Sequence, residues 1–184
     1  MSYKDNFSEA STVVKTAFFI VVISLFCSWL AFTTTSWLVV DTAAGSSSYP
    51  VTVQVHYGLW RICTEKVLGG CSQVDGTAKV EYGVTQAFAI IGFMCQNVAF
   101  LLIVRFIFKE SCKGDSEVGM GAAILLIISA IGWLIAVAVF GGEFDASATQ
   151  LHYSYGLAVI ACALGLFGGI LMALGGANGS VGSK

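Results

Sequence analysis

Four stretches of this chain are apolar for long enough to cross a lipid bilayer as helices, and nothing else in the sequence constrains its fold as strongly. Crossing the hydrocarbon core takes about 20 helical residues. The runs are 13–32, 84–108, 118–140 and 152–175. The second carries Gln86, Gln96, Asn97 and Arg105 as its main polar members, and none of the last three has Asp or Glu in its interior. Inside a bilayer every backbone N–H and C=O must be satisfied without water, so each run is read as a helix. Composition agrees. The chain is 57% hydrophobic and 11% charged, against about 25% charged residues in an ordinary soluble domain. A soluble enzyme and a disordered chain are both excluded on that ground. Nucleic-acid binding is excluded by charge, since 9 Lys+Arg stand against 11 Asp+Glu with no basic patch.

The first run is longer than the apolar part of a signal peptide, and Thr33-Thr34-Thr35-Ser36 lacks a clear small-x-small cleavage pattern, so it is read as a retained helix. The chain then divides into a tail (1–12), the first span (13–32), a long first loop (33–83), the second span (84–108), a short loop (109–117), the third span (118–140), a third loop (141–151), the fourth span (152–175) and a second tail (176–184). Basic residues near the span ends set the orientation. Lys4 and Lys15 flank the first span, Arg105, Lys109 and Lys113 gather at the short loop, and the third loop has no Lys or Arg. Both termini and the short loop are therefore expected in the cytoplasm, and the first and third loops outside. The sequons Asn6-Phe7-Ser8 and Asn178-Gly179-Ser180 fall on the cytoplasmic side and are expected to stay bare.

The cysteines follow the same division. Cys27, Cys95 and Cys162 lie within spans and read as small packing residues. Cys112, in the short loop beside the membrane, is a candidate for S-palmitoylation. Cys63 and Cys71 are the two in the outer loops, and an oxidising compartment pairs them as a disulfide. Closing so short a loop stabilises by about 2–3 kcal/mol on the loop-entropy model. A zinc site would need further ligands, and His56 and His152 do not supply a set. No metal or other cofactor is expected, and no catalytic motif is present.

The first loop reads as β structure. Val51, Val53, Val55 and Tyr57 alternate with Thr52, Gln54 and His56, a period of two with one apolar face. Ser36–Asp41, Leu59–Thr64 and Cys71–Val74 are the other expected strands, and 149–153 in the third loop is an expected edge strand before the fourth helix. The expected fold is an all-α membrane four-helix bundle carrying a small antiparallel sheet. In the fourth span Ala161, Gly165, Gly169 and Ala173 recur every four residues, which lines one face with small side chains for close helix packing. Gly132 and Ala136 do the same in the third.

Trp37, then Gly58-Leu59-Trp60, then Cys63 and Cys71, in a four-span chain with a large first loop, resembles the claudin family and its wider relatives, the peripheral-myelin and epithelial-membrane proteins and the calcium-channel gamma subunits. The likeness covers roughly residues 13–175. Three departures mark a divergent, invertebrate-type member. The stretch 82–88 has no Arg, the two cysteines stand two residues closer than in the familiar pattern, and the chain ends at Lys184, which does not suit the terminal-residue pocket of a PDZ scaffold. The resemblance implies a membrane-embedded cell-junction protein, with no nucleic acid as partner. Its outer loops would associate with further copies, or with related family members, in one membrane and across to an opposing cell, forming a paracellular barrier or an ion-selective channel. Two other roles within the wider group are an auxiliary subunit of an ion channel and an adhesion or trafficking protein of the peripheral-myelin type. The motif residues are expected to hold the sheet while the residues around them meet partners. The outer loops carry six acidic residues against three basic, and a carboxylate-lined path favours cations. Asp41, Glu65 and Asp75 are the first-loop candidates for lining such a path, with Glu143 and Asp145 behind them. A relay of ionisable residues through the bundle itself is missing from the sequence.

Overall fold

The computed structural model describes residues 3–44, 51–64, 70–76, 79–143 and 150–176. In chain order the helices are α1 (Tyr3–Glu9), α2 (Thr12–Thr33), α3 (Val80–Phe108), α4 (Ser116–Glu143) and α5 (Tyr153–Gly176), with a 3-10 turn at Glu110–Cys112 between α3 and α4. The strands are β1 (Leu38–Ala44), β2 (Val51–Tyr57), β3 (Arg61–Thr64), β4 (Cys71–Gln73) and β5 (Gln150–Leu151). Helices α2 to α5 are each long and apolar enough to cross a membrane, so the chain is a multi-pass membrane protein. α2, α3 and α4 are rich in Val and Ile and α5 in Gly, all poor helix formers in water. Lipid removes the competing hydration of the backbone, and the helix is then the only way to satisfy it within one segment.

The four spans form a bundle in which α2 packs on α5, α5 on α4 and α4 on α3, while the seam between α2 and α3 is much slighter. Small residues make these approaches possible. A Cβ on Gly168 would lie 2.7 Å from Val21 Cγ2, and one on Gly176 would lie 3.0 Å from the Cα of Gly119. A Cβ on Gly132 would lie 2.9 Å from the backbone nitrogen of Gly92. The small-residue face of α5 is thus divided between two neighbours. Gly165 and Gly168 look toward α2, and Gly169 lies against Ala123, Leu126 and Ile127 of α4. Ala161, Gly165 and Gly169 are buried, whereas Ala173 is only partly so.

The bundle core has two apolar compartments and a polar layer between them. One compartment contains Val14, Val21, Ile103, Phe106, Leu126 and Met172. The other contains Trp37, Leu38, Leu59, Tyr82, Trp133 and Phe140. Between them the buried side chains of Ser24, Gln96 and Ser129 join all four spans. Gln96 Nε2 donates to Ser24 Oγ at 2.7 Å, and Ser24 Oγ donates to the carbonyl of Ala161 at 2.9 Å. Ser129 Oγ donates to the carbonyl of Gly92 at 2.7 Å. In hydrocarbon an unpaired polar group is expensive, so each of these bonds also fixes the axial register of two helices.

At the end away from the sheet, α1 folds back on the bundle. Phe7 stacks on Phe108 and meets Phe18 and Phe19 edge-on. Lys113, beyond the 3-10 turn, pairs with Glu9 and donates to Asn6 Oδ1 at 3.0 Å. Asn6 is buried and its amide also donates to the carbonyl of Phe108, so the asparagine of the first sequon is held inside the fold. Asn178 lies outside the described residues. Gly114 takes the left-handed conformation (φ 69°), which glycine adopts without a Cβ penalty, and the chain there turns into α4.

At the other end the five strands make one antiparallel sheet in the order β4-β3-β2-β1-β5. β1 and β2 pair over their whole length, from Leu38 opposite Tyr57 to Ala44 opposite Val51. β3 begins two residues later than the expected Leu59, because Gly58, Leu59 and Trp60 turn down onto the helices. Helices α3 and α4 each overrun the expected span at this end, to Val80 and Glu143. Lys79 Nζ and Glu143 Oε1 meet there at 3.4 Å.

Candidate functional site

The sheet and its seat on the bundle contain Trp37, Asp41, Gly58, Leu59, Trp60, Cys63, Cys71 and Asp75 of the residues singled out from the sequence. Register places its residues on two faces. Leu38, Tyr57, Ile62 and Ser72 form one row across the strands, and Val39, His56, Cys63 and Cys71 form the next. Leu38 is fully buried and its row faces the bundle, except Ser72, which is exposed at the β4 edge. Asp41 and Gln54 are directly paired on the other face, and both are exposed. Cys63 and Cys71 are cross-strand partners and form a disulfide. The bond closes the β3–β4 pair, whose connection (65–69) lies outside the described residues. β4 is exposed along all three of its residues.

The seat is built by the motif. Trp37 is fully buried, stacked over Trp133 at 6.4 Å and edge-on to Phe140 at 5.0 Å and Tyr155 at 5.9 Å. Its indole donates to the carbonyl of Ala31 at 2.7 Å, in the last turn of α2. The ring plugs the sheet end of the bundle, and its N–H finds a partner there as a buried indole requires. Trp60 Nε1 donates to the carbonyl of Phe32 at 2.8 Å, so both tryptophans cap orphan carbonyls at the end of α2. Leu59 is fully buried, and its carbonyl accepts from Gln86 Nε2 at 2.6 Å. Gly58 accepts a hydrogen bond from the hydroxyl of Tyr82 on its carbonyl and donates its N–H to the carbonyl of Arg61 at 2.9 Å. A Cβ at Gly58 would sit 2.5 Å from the Cα of Thr35 and 3.0 Å from the carbonyl oxygen of Thr34. Only glycine fits where the two backbones cross.

The family-model description PMP-22/EMP/MP20/Claudin matches residues 12–174. The chain belongs to this family. No individual curated protein matches it in direct comparison. Family and structure agree on a tetraspan, claudin-like protein with a small disulfide-bearing sheet on four membrane helices. In this claudin-family chain Trp37, Gly58 and Leu59 are buried in the sheet's seat, Trp60 and Cys63 are partly buried, and Cys71 is exposed.

The described acidic candidates, Asp41, Asp75 and Glu143, lie on different elements. Asp41 is in β1 and Asp75 just past β4, three strand spacings apart, or about 14 Å. Glu143 pairs with Lys79 where α3 and α4 reach the sheet end of the bundle. Glu65 and Asp145 lie outside the described residues. Cys112 ends the 3-10 turn half-buried. Among the described residues no group of His, Cys, Asp and Glu could hold a metal ion.

Tyr82, Trp133, Ser24 and Ser129 carry much of the architecture and were not marked in the sequence. Trp133 and Ser129 sit inside a uniformly apolar run that gives no sign of which face is buried. Gln86 and Gln96 did stand out as polar members of the second span, and a glutamine within hydrocarbon is itself a signal of an interhelical partner.

Proposed function

We propose that this protein is a claudin-like component of cell–cell junctions. Its sheet lies outside the cell and associates with further copies within one membrane and across to an opposing membrane, forming a paracellular barrier or an ion-selective channel. The termini and the short loop between α3 and α4 face the cytoplasm. One observation carries this reading. The sheet is clamped to all four spans by one buried plug, while its outer face and the β4 edge stand exposed. A rigid platform with an unused strand edge suits lateral assembly, because exposed edges readily accept another chain. The disulfide supports an oxidising location for the sheet. The gathering of Arg105, Lys109 and Lys113 supports a cytoplasmic short loop. Asp41 and Asp75, both exposed, supply the negative charge for any permeation path along the sheet.

The test is expression in cells that lack junction strands, with freeze-fracture imaging of contacts and transepithelial conductance in a tight monolayer. Strands with altered conductance are expected, and Asp41→Asn should then move the dilution potential away from cation preference. Even surface expression with neither strands nor a conductance change would overturn the junction reading in favour of an auxiliary channel subunit.

A further inference from the structure

We propose that the seam between α2 and α3 holds one phospholipid specifically, with its phosphate at Arg61 and an acyl chain along an aromatic wall below. At the sheet end of this seam a cavity of about 400 Å³ is lined by Phe32, Thr33, Thr35, Trp60 and Arg61. Its size falls in the range of small-molecule sites, and its depth is that of lipid headgroups. α2 ends at Thr33 after 22 helical residues, about 33 Å of helix, which is the thickness of the hydrocarbon core. Arg61 is exposed, and among the described residues no carboxylate pairs with it. Arg61 lines the cavity at that level, and a guanidinium can bind a phosphate in a bidentate fashion.

The wall beneath argues for a lipid rather than a free anion. Phe32 lines the cavity and also stacks on Phe93 at 4.3 Å, and Trp29 meets Phe93 edge-on at 4.8 Å. Trp29 is 48% exposed, and Ile90 and Met94 beside Phe93 are likewise open to the surroundings. Because α2 and α3 touch so little along this seam, the apolar strip is open to a chain that enters from the membrane. Cation above and aromatics below match the two ends of one phospholipid molecule.

The experiment uses the full chain purified in a mild detergent and titrated with dioleoylphosphatidylcholine under native mass spectrometry. The expected result is one lipid bound at least tenfold more tightly than the next. Arg61→Gln should weaken that first binding about tenfold, Arg61→Lys less, and Lys79→Gln not at all. Dioleoylglycerol, which lacks the phosphate, should not occupy the site, and glycerol 3-phosphate should not displace the lipid. Equal affinity in the Arg61→Gln protein, or equal binding of dioleoylglycerol, overturns the phosphate contact. Displacement by glycerol 3-phosphate overturns the acyl-chain contact. The unsubstituted protein gives a separate reading that needs no variant. Trp37 and Trp133 are fully buried, so phosphatidylcholine brominated near its headgroup should quench Trp29 and Trp60, saturating at one equivalent. Quenching that only follows the mole fraction of lipid would refute a specific site.

Discussion

Gly58→Ala is the sharpest probe of how the sheet is held, because the added methyl group has no soft neighbour to displace. Its nearest atoms would be the Cα of Thr35 at 2.5 Å, the carbonyl oxygen of Thr34 at 3.0 Å and that of Arg61 at 3.2 Å. All three are backbone, on both sides of the crossing. Relief requires moving either the chain leaving α2 or the turn into β3. The first would pull on Trp37 and the second on Leu59, and both are fully buried. The second movement would also stretch the bond from Tyr82 to the Gly58 carbonyl. Overpacking of this kind costs about 1–3 kcal/mol, and leaving the carbonyl unpaired adds about 1–3 kcal/mol more. The control is Gly142→Ala. It sits in the last turn of α4 with nothing within 4 Å of its added carbon, and helix propensity there favours alanine by up to about 1 kcal/mol. The two substitutions add the same atoms and should have opposite signs. The assay is thermal unfolding of the purified protein, followed by size-exclusion fluorescence in detergent and by protection of the sheet amides in hydrogen exchange. Gly58→Ala should lower the midpoint by several degrees and strip protection first from β1–β3. Equal midpoints for the Gly58→Ala protein and the unsubstituted one would refute the claim that a backbone crossing fixes the sheet.

Three other substitutions test the remaining supports. Replacing Cys63 by Ser removes the link across β3–β4 and should cost about 2–3 kcal/mol on the loop-entropy model, read as retention of the protein inside the cell by surface biotinylation. Gln96→Leu deletes the one side chain that bridges to Ser24, but Ser24 and Ser129 keep their own carbonyl acceptors; the loss should be modest, about 0.5–1.5 kcal/mol, measured by steric trapping or SDS-induced unfolding in bicelles. On α5, Gly168→Ala should destabilise through its 2.7 Å approach to fully buried Val21, whereas Gly165→Ala, 3.6 Å from Ser24 Oγ, should be tolerated, and the same unfolding assay separates them.

The spans were legible because the bilayer leaves the backbone no alternative to a helix, and the strand at Val51–Tyr57 because its side chains alternate. Both signals come from the solvent on each side of the element. What the sequence did not show were contacts chosen inside a uniformly apolar environment. α4 is apolar all round, so nothing distinguished Trp133, which is fully buried, from Leu134, which is 56% exposed. The α5 glycines were readable as a small-residue face, but not as a face split between two partners. The pairing of Lys79 with Glu143 depends on α3 and α4 both running past the expected membrane boundary, and hydropathy does not fix where a helix continues into water. Helix α1 was missed for a different reason. Seven residues cannot hold a helix by themselves, and this one exists because Phe7, Asn6 and Glu9 find partners far along the chain.

The same distinction bears on recognition. Trp37, Gly58 and Leu59 carry the family likeness, and all are buried. They are occupied in joining the sheet to the helices, and the disulfide is occupied in joining β3 to β4. None of these residues is left to tell one partner from another. In the proposed junction role that task falls to side chains with no part in the seat. They are Asp41 and Gln54 on the outer face, Ser72 and Gln73 on the β4 edge, and Asp75 beyond it. A chain of this family can therefore change its outer face without disturbing its fold. Substitutions at Asp41 should alter assembly or ion preference while leaving the unfolding midpoint unchanged, and those at Gly58 should do the reverse.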